Sequence, residues 1–267
     1  MQAAIFPLKS VPGRISESIL RGGIIRIITG TLALWAASTT ILYTLILCPA
    51  IILISLFSKT GIPPYKIGKL WAWLILKTNR VKVQVEGLEK IDKGRSYVFI
   101  SNHSSNLDPL AVAIKLSNTL RFIGKSSLEK IPLFGWAARR AKVIFIDRKD
   151  TPQAVARINK VIHELKDGIS PYFFAEGTRN VAGELQAFKK GGVVLALKAK
   201  LPIVPITILD GHKLFPKGAF RIKPGTMNVI VGDPVETSSY AEEDRDTVLE
   251  KVRSTIHQTL HRHGVTG

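Results

Sequence analysis

Tyr97-Val-Phe-Ile-Ser-Asn-His-Ser-Ser-Asn-Leu-Asp-Pro109 holds three elements in thirteen residues. Tyr97–Ser101 is β-rich and apolar. Small polar residues then break it, and Asp108-Pro109 opens a helical pattern that runs to Leu116. This is a strand running through a loop into a helix. The same alternation extends in both directions. Further strands are expected at Val81–Glu86, Leu120–Gly124, Lys142–Asp147, Ser170–Ala175, Ile203–Leu209 and Met227–Gly232. Helices are expected at Phe134–Arg140, Gln153–Asp167, Gly191–Ala199 and Ala241–Arg262. In Gln153–Asp167 the residues Val155, Ile158, Val161, Ile162 and Leu165 form a stripe suited to core packing. Strand–helix alternation of this kind gives an α/β fold, with a mixed, largely parallel sheet flanked by helices.

Composition narrows the partners. The chain of 267 residues carries 38 Lys+Arg against 20 Asp+Glu, a net +18, and 46% of it is hydrophobic. That excludes a disordered chain and points to an anionic partner: nucleic acid, phospholipid or a phosphorylated substrate. The lone cysteine, Cys48, excludes an internal disulfide framework and any multi-cysteine zinc site. No recognisable nucleic-acid module is present, and the aromatics are not interleaved with basic residues as a stacking platform requires. The histidines other than His103 are scattered or lie near the C-terminus, so no metal-ligand cluster is expected.

The N-terminal third favours lipid. Ile27 to Ser58 is 32 residues without a charge, about 48 Å as a helix against a hydrocarbon core of roughly 30 Å. A signal-peptide core is far shorter. Leu47 is too large for a lipoprotein cleavage box, so Cys48 reads as a buried apolar thiol. Pro49 is expected to kink or break the run, and Gly61-Ile-Pro-Pro64 marks a turn. A second apolar stretch, Pro64 to Lys77, places Trp71 and Trp73 beside Lys66, Lys69 and Lys77, as in an interfacial belt. Residues 1–80 hold nine basic groups and one acid, Glu17, and the basic groups flank the long run on both sides. Such symmetry suits a re-entrant hairpin better than a single tilted span. A membrane-embedded helical pair in residues 1–80 is therefore expected to precede an α/β domain in residues 81–267. Its basic surface would adhere to anionic phospholipid at ~1 kcal/mol per basic residue near the surface.

Two clusters carry chemistry. A histidine leaving a strand is well placed for an active site, and neutral imidazole takes a proton near pH 7. Asp108 has two open readings on this motif alone. It either folds back to orient His103 or caps the helix that starts at Pro109. No serine or cysteine nucleophile motif is near, so an acid–base pair here would activate a substrate hydroxyl. The second cluster, Glu176-Gly177-Thr178-Arg179, follows the strand Ser170–Ala175. Its arginine fork matches a phosphate, Gly177 permits close backbone approach, and Thr178 adds a hydroxyl donor. An ordinary surface turn with an ion pair has the same composition.

Taken together and in this order, the clusters resemble the glycerolipid acyltransferase family. Asn102, His103 and Asp108 match its N-H-x-x-x-x-D motif. Phe174, Glu176, Gly177, Thr178 and Arg179 match F-P-E-G-T-R-S, with Ala175 in place of proline and Asn180 in place of serine. Lys125, Leu128, Pro132, Gly135 and Ile144-Phe145-Ile146-Asp147-Arg148 match the second motif, and Val204-Pro205-Ile206-Thr207-Ile208 the fourth. The resemblance covers roughly Val81 to Gly232 and implies acyl transfer from acyl-CoA or acyl-carrier protein to lysophosphatidic acid, the acceptor that the intact E-G-T-R favours, with glycerol-3-phosphate or another lysolipid as the alternative acceptor. In that scheme His103, oriented by Asp108, is the base. Glu176, Gly177, Thr178 and Arg179 would form the phosphate site with Lys125 and Arg148, although the last two also read as solvated charges. Neither departure in the third motif replaces a presumed functional side chain, though both can shift loop geometry. No cofactor or metal enters the scheme. It places the protein at the inner, cytoplasmic membrane, with the catalytic domain on the cytoplasmic face.

Overall fold

A computed structural model of the protein describes residues 13–147, 152–153, 156–157, 160, 162–180 and 185–265, with side chains from residue 27 onward. Seven strands form one sheet: β1 Val81–Glu86, β2 Val98–Ser101, β3 Thr119–Lys125, β4 Ile144–Ile146, β5 Ile169–Phe174, β6 Ile203–Leu209 and β7 Gly225–Val231. Their order is β1-β7-β6-β2-β5-β3-β4. Every pairing is parallel except β6–β7. All seven lie where the alternation places them.

The described helices are α1 Gly13–Ser55, α2 Ile62–Thr78, α3 Asp108–Lys115, the short α4 Ser126–Glu129, α5 Phe134–Arg140, α6 Gly191–Ala199, the short α7 Gly211–Leu214 and α8 Arg245–Arg262. Side chains alternate across the sheet and bury on both sides. Val98, Ile100 and Phe173 pack with residues of α6 and α8, including Val193, Leu197, Val252 and Ile256. Phe99, Tyr172 and Val204 pack with Tyr65 and Leu76 of α2 and with Ala111 and Val112 of α3. Glu242–Asp244 form a 3₁₀ turn leading into α8, and Asp244 accepts the backbone N–H of Ala241 at 2.8 Å.

Three expectations need correction or restriction. α1 runs through Pro49 unbroken to Ser55. Cys48 and Ile51, on either side of the proline, are buried against Ala137 of α5. That packing holds the helical course where a lost backbone bond would weaken it. Of the helix expected at Gln153–Asp167, residues 152–153 and 156–157 are helical and Ile162–Glu164 is a 3₁₀ turn, while Val155, Ile158 and Val161 lie outside the described residues. Of the two N-terminal helices, only α1, over Ile27–Ser55, is long and apolar enough to cross a membrane.

α1 and α2 pack together, with Tyr43 Oη 2.8 Å from Thr78 Oγ1 and Trp71 Nε1 donating to Thr44 Oγ1 at 3.1 Å. Their turn is pinned to the sheet by Arg121 of β3, which donates to Thr60 O at 2.6 Å and to Ala141 O at 3.4 Å. Further back along α1, Thr29 meets the loop before β7, where Arg221 donates to Thr29 Oγ1 at 3.3 Å. α1 therefore lies along the α/β body between residues 29 and 51, over about 33 Å. Its remaining surface exposes Leu34, Trp35, Ile41, Leu45, Ile46 and Leu53.

Candidate active site

Register brings the two chemical clusters together. β2 and β5 are parallel neighbours with Ser101 opposite Phe174. Two residues beyond each partner lie His103 and Glu176, so 73 residues of sequence collapse to one hydrogen bond. The backbone N–H of His103 donates to Glu176 Oε1 at 2.7 Å. The C-terminal ends of β3 and β6, carrying Lys125 and the Asp210-Gly211 turn, are at the same edge. Strand ends at this edge are where open α/β sheets bind ligands.

Asp108 orients His103. Its carboxylate is fully buried, and Oδ2 lies 2.8 Å from His103 Nδ1. The same oxygen accepts the N–H groups of Ser104 at 2.7 Å and Ser105 at 2.8 Å. A carboxylate can only accept, so Nδ1 carries the proton and Nε2 the free lone pair. The imidazole also packs on Phe174, with ring centroids 4.1 Å apart, which fixes its plane. The capping alternative is not what Asp108 does: it makes no side-chain bond to the helix it begins and turns back to the loop instead. Gly211 closes the rear of the pair. A Cβ there would lie 2.5 Å from Asp108 Oδ1 and 2.9 Å from Ser104 Oγ, so no larger residue permits the approach.

Glu176 is buried, and its carboxylate faces the protein. Besides His103 N–H it accepts from Gln186 N–H at 3.0 Å and from the Asn180 amide at 3.2 and 3.3 Å. Burial pushes its carboxyl above the ordinary value. The N–H groups of Gln186 and His103 and the Asn180 amide pull it back. Asn180 also returns a backbone bond to His103 O at 2.8 Å. The asparagine that replaces the family's serine therefore helps set the geometry of this loop. Ala175, standing where the family has proline, has an N–H and donates it to Ser101 O at 2.9 Å, a bond proline cannot make. Gly177 has φ +70°, the left-handed conformation glycine adopts at least cost.

Thr178 is exposed and Arg179 half-buried on the loop held by Glu176, and Lys125 is exposed at the end of β3. Arg148 lies outside the described residues. Sequence reasoning gave no role to the side chain of Asn102, although it lies in the quoted motif. Its amide donates to Ile208 O at 2.9 Å and accepts from Ile208 N at 2.8 Å, tying the His103 loop to β6. Asn180, Gln186 and Gly211 were equally silent, because their roles depend on which strand ends meet.

Residues 82–209 match the family model described as Acyltransferase. A mouse protein named 1-acyl-sn-glycerol-3-phosphate acyltransferase alpha is 32% identical over 192 residues, covering 70% of this chain and 67% of the relative. The chain belongs to the acyltransferase family. The chloroplastic 1-acyl-sn-glycerol-3-phosphate acyltransferase LPAT1 of Arabidopsis thaliana is 33% identical over 196 residues, 73% of this chain and 53% of the relative. The chain thus spans about half the length of that curated relative. Its fold is that of the crystal structure of the 1-acyl-sn-glycerophosphate acyltransferase PlsC from Thermotoga maritima. The TM-score is 0.75 at 24% identity, covering 91% of this chain and 98% of that one.

Proposed function

We propose that this acyltransferase moves a fatty acyl group from acyl-CoA or acyl-carrier protein to the sn-2 hydroxyl of lysophosphatidic acid, giving phosphatidic acid at a membrane surface. The single observation that carries the reading is the buried Asp108 holding His103 Nδ1 at 2.8 Å, which leaves Nε2 free as a base. The named relatives and the arginine-bearing Glu176–Arg179 loop beside His103 support the choice of acceptor.

In this reading Nε2 of His103 takes the hydroxyl proton as the oxygen attacks the thioester carbonyl carbon. Asp108 stabilises the imidazolium that results. The tetrahedral intermediate collapses with cleavage of the carbon–sulfur bond, and His103 returns the proton to the departing thiolate. Arg179, with Thr178, Lys125 and Arg148, binds the acceptor phosphate. Glu176 acts on substrate only through the loop it holds.

Residues 1–80 are read as the membrane-associated helical hairpin and residues 81–267 as the acyltransferase domain, on the cytoplasmic face. The contacts of α1 with the domain at Thr29 and again at Cys48 and Ile51 favour a hairpin lying within one leaflet over an upright span. The test is His103→Ala. Acyl transfer to lysophosphatidic acid should vanish while membrane binding and thermal unfolding stay unchanged. Normal turnover by that variant would sink the mechanism.

A further inference from the structure

Between Asp210 and Asp233 the sequence holds His212, Lys213, Lys217, Arg221 and Lys223, and no acid. Three of these cations fall in one loop, Leu214–Lys223. Its neck is closed by the N–H of Lys223 donating to Leu214 O at 2.8 Å. Within it Ala219 N–H donates to Pro216 O at 3.1 Å and Gly218 takes φ +84°, so the tip is a tight turn. The tip presents Phe220, which at 89% exposure is the most exposed large apolar side chain among the described residues. Lys217 and Lys223 beside it are exposed and make no ion pair among the described residues, whereas Lys213 pairs with Asp210 at 2.8 Å.

A single exposed ring needs no explanation in itself; its surroundings give this one meaning. Two contacts fix the position of the loop. At its base Ser105, from the His103–Asp108 loop, donates Oγ to Phe215 O at 2.9 Å. On its far side Arg221 donates to Thr29 Oγ1, at the start of the apolar, outward-facing run of α1. The loop thus bridges the His103–Asp108 loop and α1, and it carries an exposed ring between two exposed lysines in sequence.

We propose that Leu214–Lys223 is a lipid-docking loop. Phe220 enters an anionic bilayer beside α1, while Lys217 and Lys223 meet headgroup phosphates. Through Ser105 and Phe215 the docked loop sets the height of His103 above the headgroup plane. This rests on the membrane reading given above. An acidic carrier protein would satisfy the charges, but it gives no reason for the loop to abut α1.

The test uses the full chain in a Cys48→Ala background, reconstituted into phosphatidylglycerol–phosphatidylcholine vesicles. A polarity-sensitive dye is attached in the Phe220→Cys variant or, separately, in a Leu45→Cys variant on the exposed face of α1. Quenching by nitroxide-bearing lipid and by aqueous iodide is then measured. Both positions should be quenched by the lipid nitroxide and shielded from iodide. Reversing Lys217 and Lys223 to Glu should restore iodide quenching at position 220 and leave position 45 unchanged, because each cation lost weakens surface attraction about fivefold.

Lipid quenching at position 45 with iodide quenching alone at position 220 would overturn the loop proposal and spare the membrane reading. Absence of lipid quenching at both would overturn the two together. Shielding of position 220 only on addition of acyl-carrier protein would make the loop a donor-protein site instead. An unchanged response in the charge-reversed variant would remove the lysines from the proposal.

Discussion

Asp108→Asn isolates the contribution of one charge. Asparagine has nearly the same shape, and its carbonyl oxygen can still accept the N–H groups of Ser104 and Ser105 that Asp108 Oδ2 accepts at 2.7 and 2.8 Å. The loop should therefore keep its course. What disappears is the negative charge facing an imidazole that becomes cationic only as the hydroxyl is deprotonated. With both charges delocalised, their centres are about 4 Å apart. At an effective dielectric constant of about 20 they attract by about 4 kcal/mol, or about a thousandfold in rate at 1.4 kcal/mol per tenfold. This lies within the range of about 10²–10⁴ for a positioned general base. The assay is thiol release from acyl-CoA with saturating lysophosphatidic acid in liposomes. kcat should fall about a thousandfold, with KM for the acceptor and the unfolding temperature close to wild type. A variant that folds normally and turns over within tenfold of wild type would refute the orienting and charge-stabilising role of Asp108.

Three further perturbations follow from the geometry. Arg179→Ala should chiefly raise KM for lysophosphatidic acid and leave KM for the thioester donor nearly unchanged; equal effects on both would remove its assignment to the acceptor phosphate. Arg121→Met leaves Thr60 O and Ala141 O without their donor, at about 1–3 kcal/mol for each unsatisfied carbonyl. Thermal unfolding should register that loss, and an unchanged unfolding temperature would mean the helical turn is held elsewhere. The third concerns Glu176, whose carboxyl burial raises above its ordinary value. A raised value in the folded state means its contribution to stability is full below the ordinary carboxylate range and declines as pH rises through the raised value. Glu176→Gln should flatten that part of the profile of unfolding temperature against pH, whereas a profile identical to wild type would contradict the cause.

The fold was legible because most strands are short apolar runs bounded by turn residues and Val81–Glu86 alternates apolar with polar residues, patterns that mark strands between helices. Pro49 misled for a physical reason. Local propensity puts a break there, and tertiary packing of Cys48 and Ile51 on Ala137 overrides it. The short helices Ser126–Glu129 and Gly211–Leu214 carry too few residues to show a period. His103, Asp108 and the Glu176–Arg179 loop could be named because their residue types announce chemistry. Their supports could not. Asn102 bonding Ile208, Asn180 bonding Glu176, and Gly211 behind Asp108 are all consequences of strand order and register. Arg121 was equally hidden, since a guanidinium buried under a helical turn looks in sequence like any other surface arginine.

Acyl transfer itself tests the central claim most directly. The purified protein in liposomes is given a long-chain acyl-CoA, or acyl-carrier protein charged with the same chain. Lysophosphatidic acid, glycerol-3-phosphate and lysophosphatidylcholine are offered in parallel, and thiol release is followed. Thiol release with lysophosphatidic acid, abolished in His103→Ala, is the expected result. Turnover with a different acceptor alone would keep the base and move the substrate. Silence with every acceptor and both donors would contradict the proposed activity.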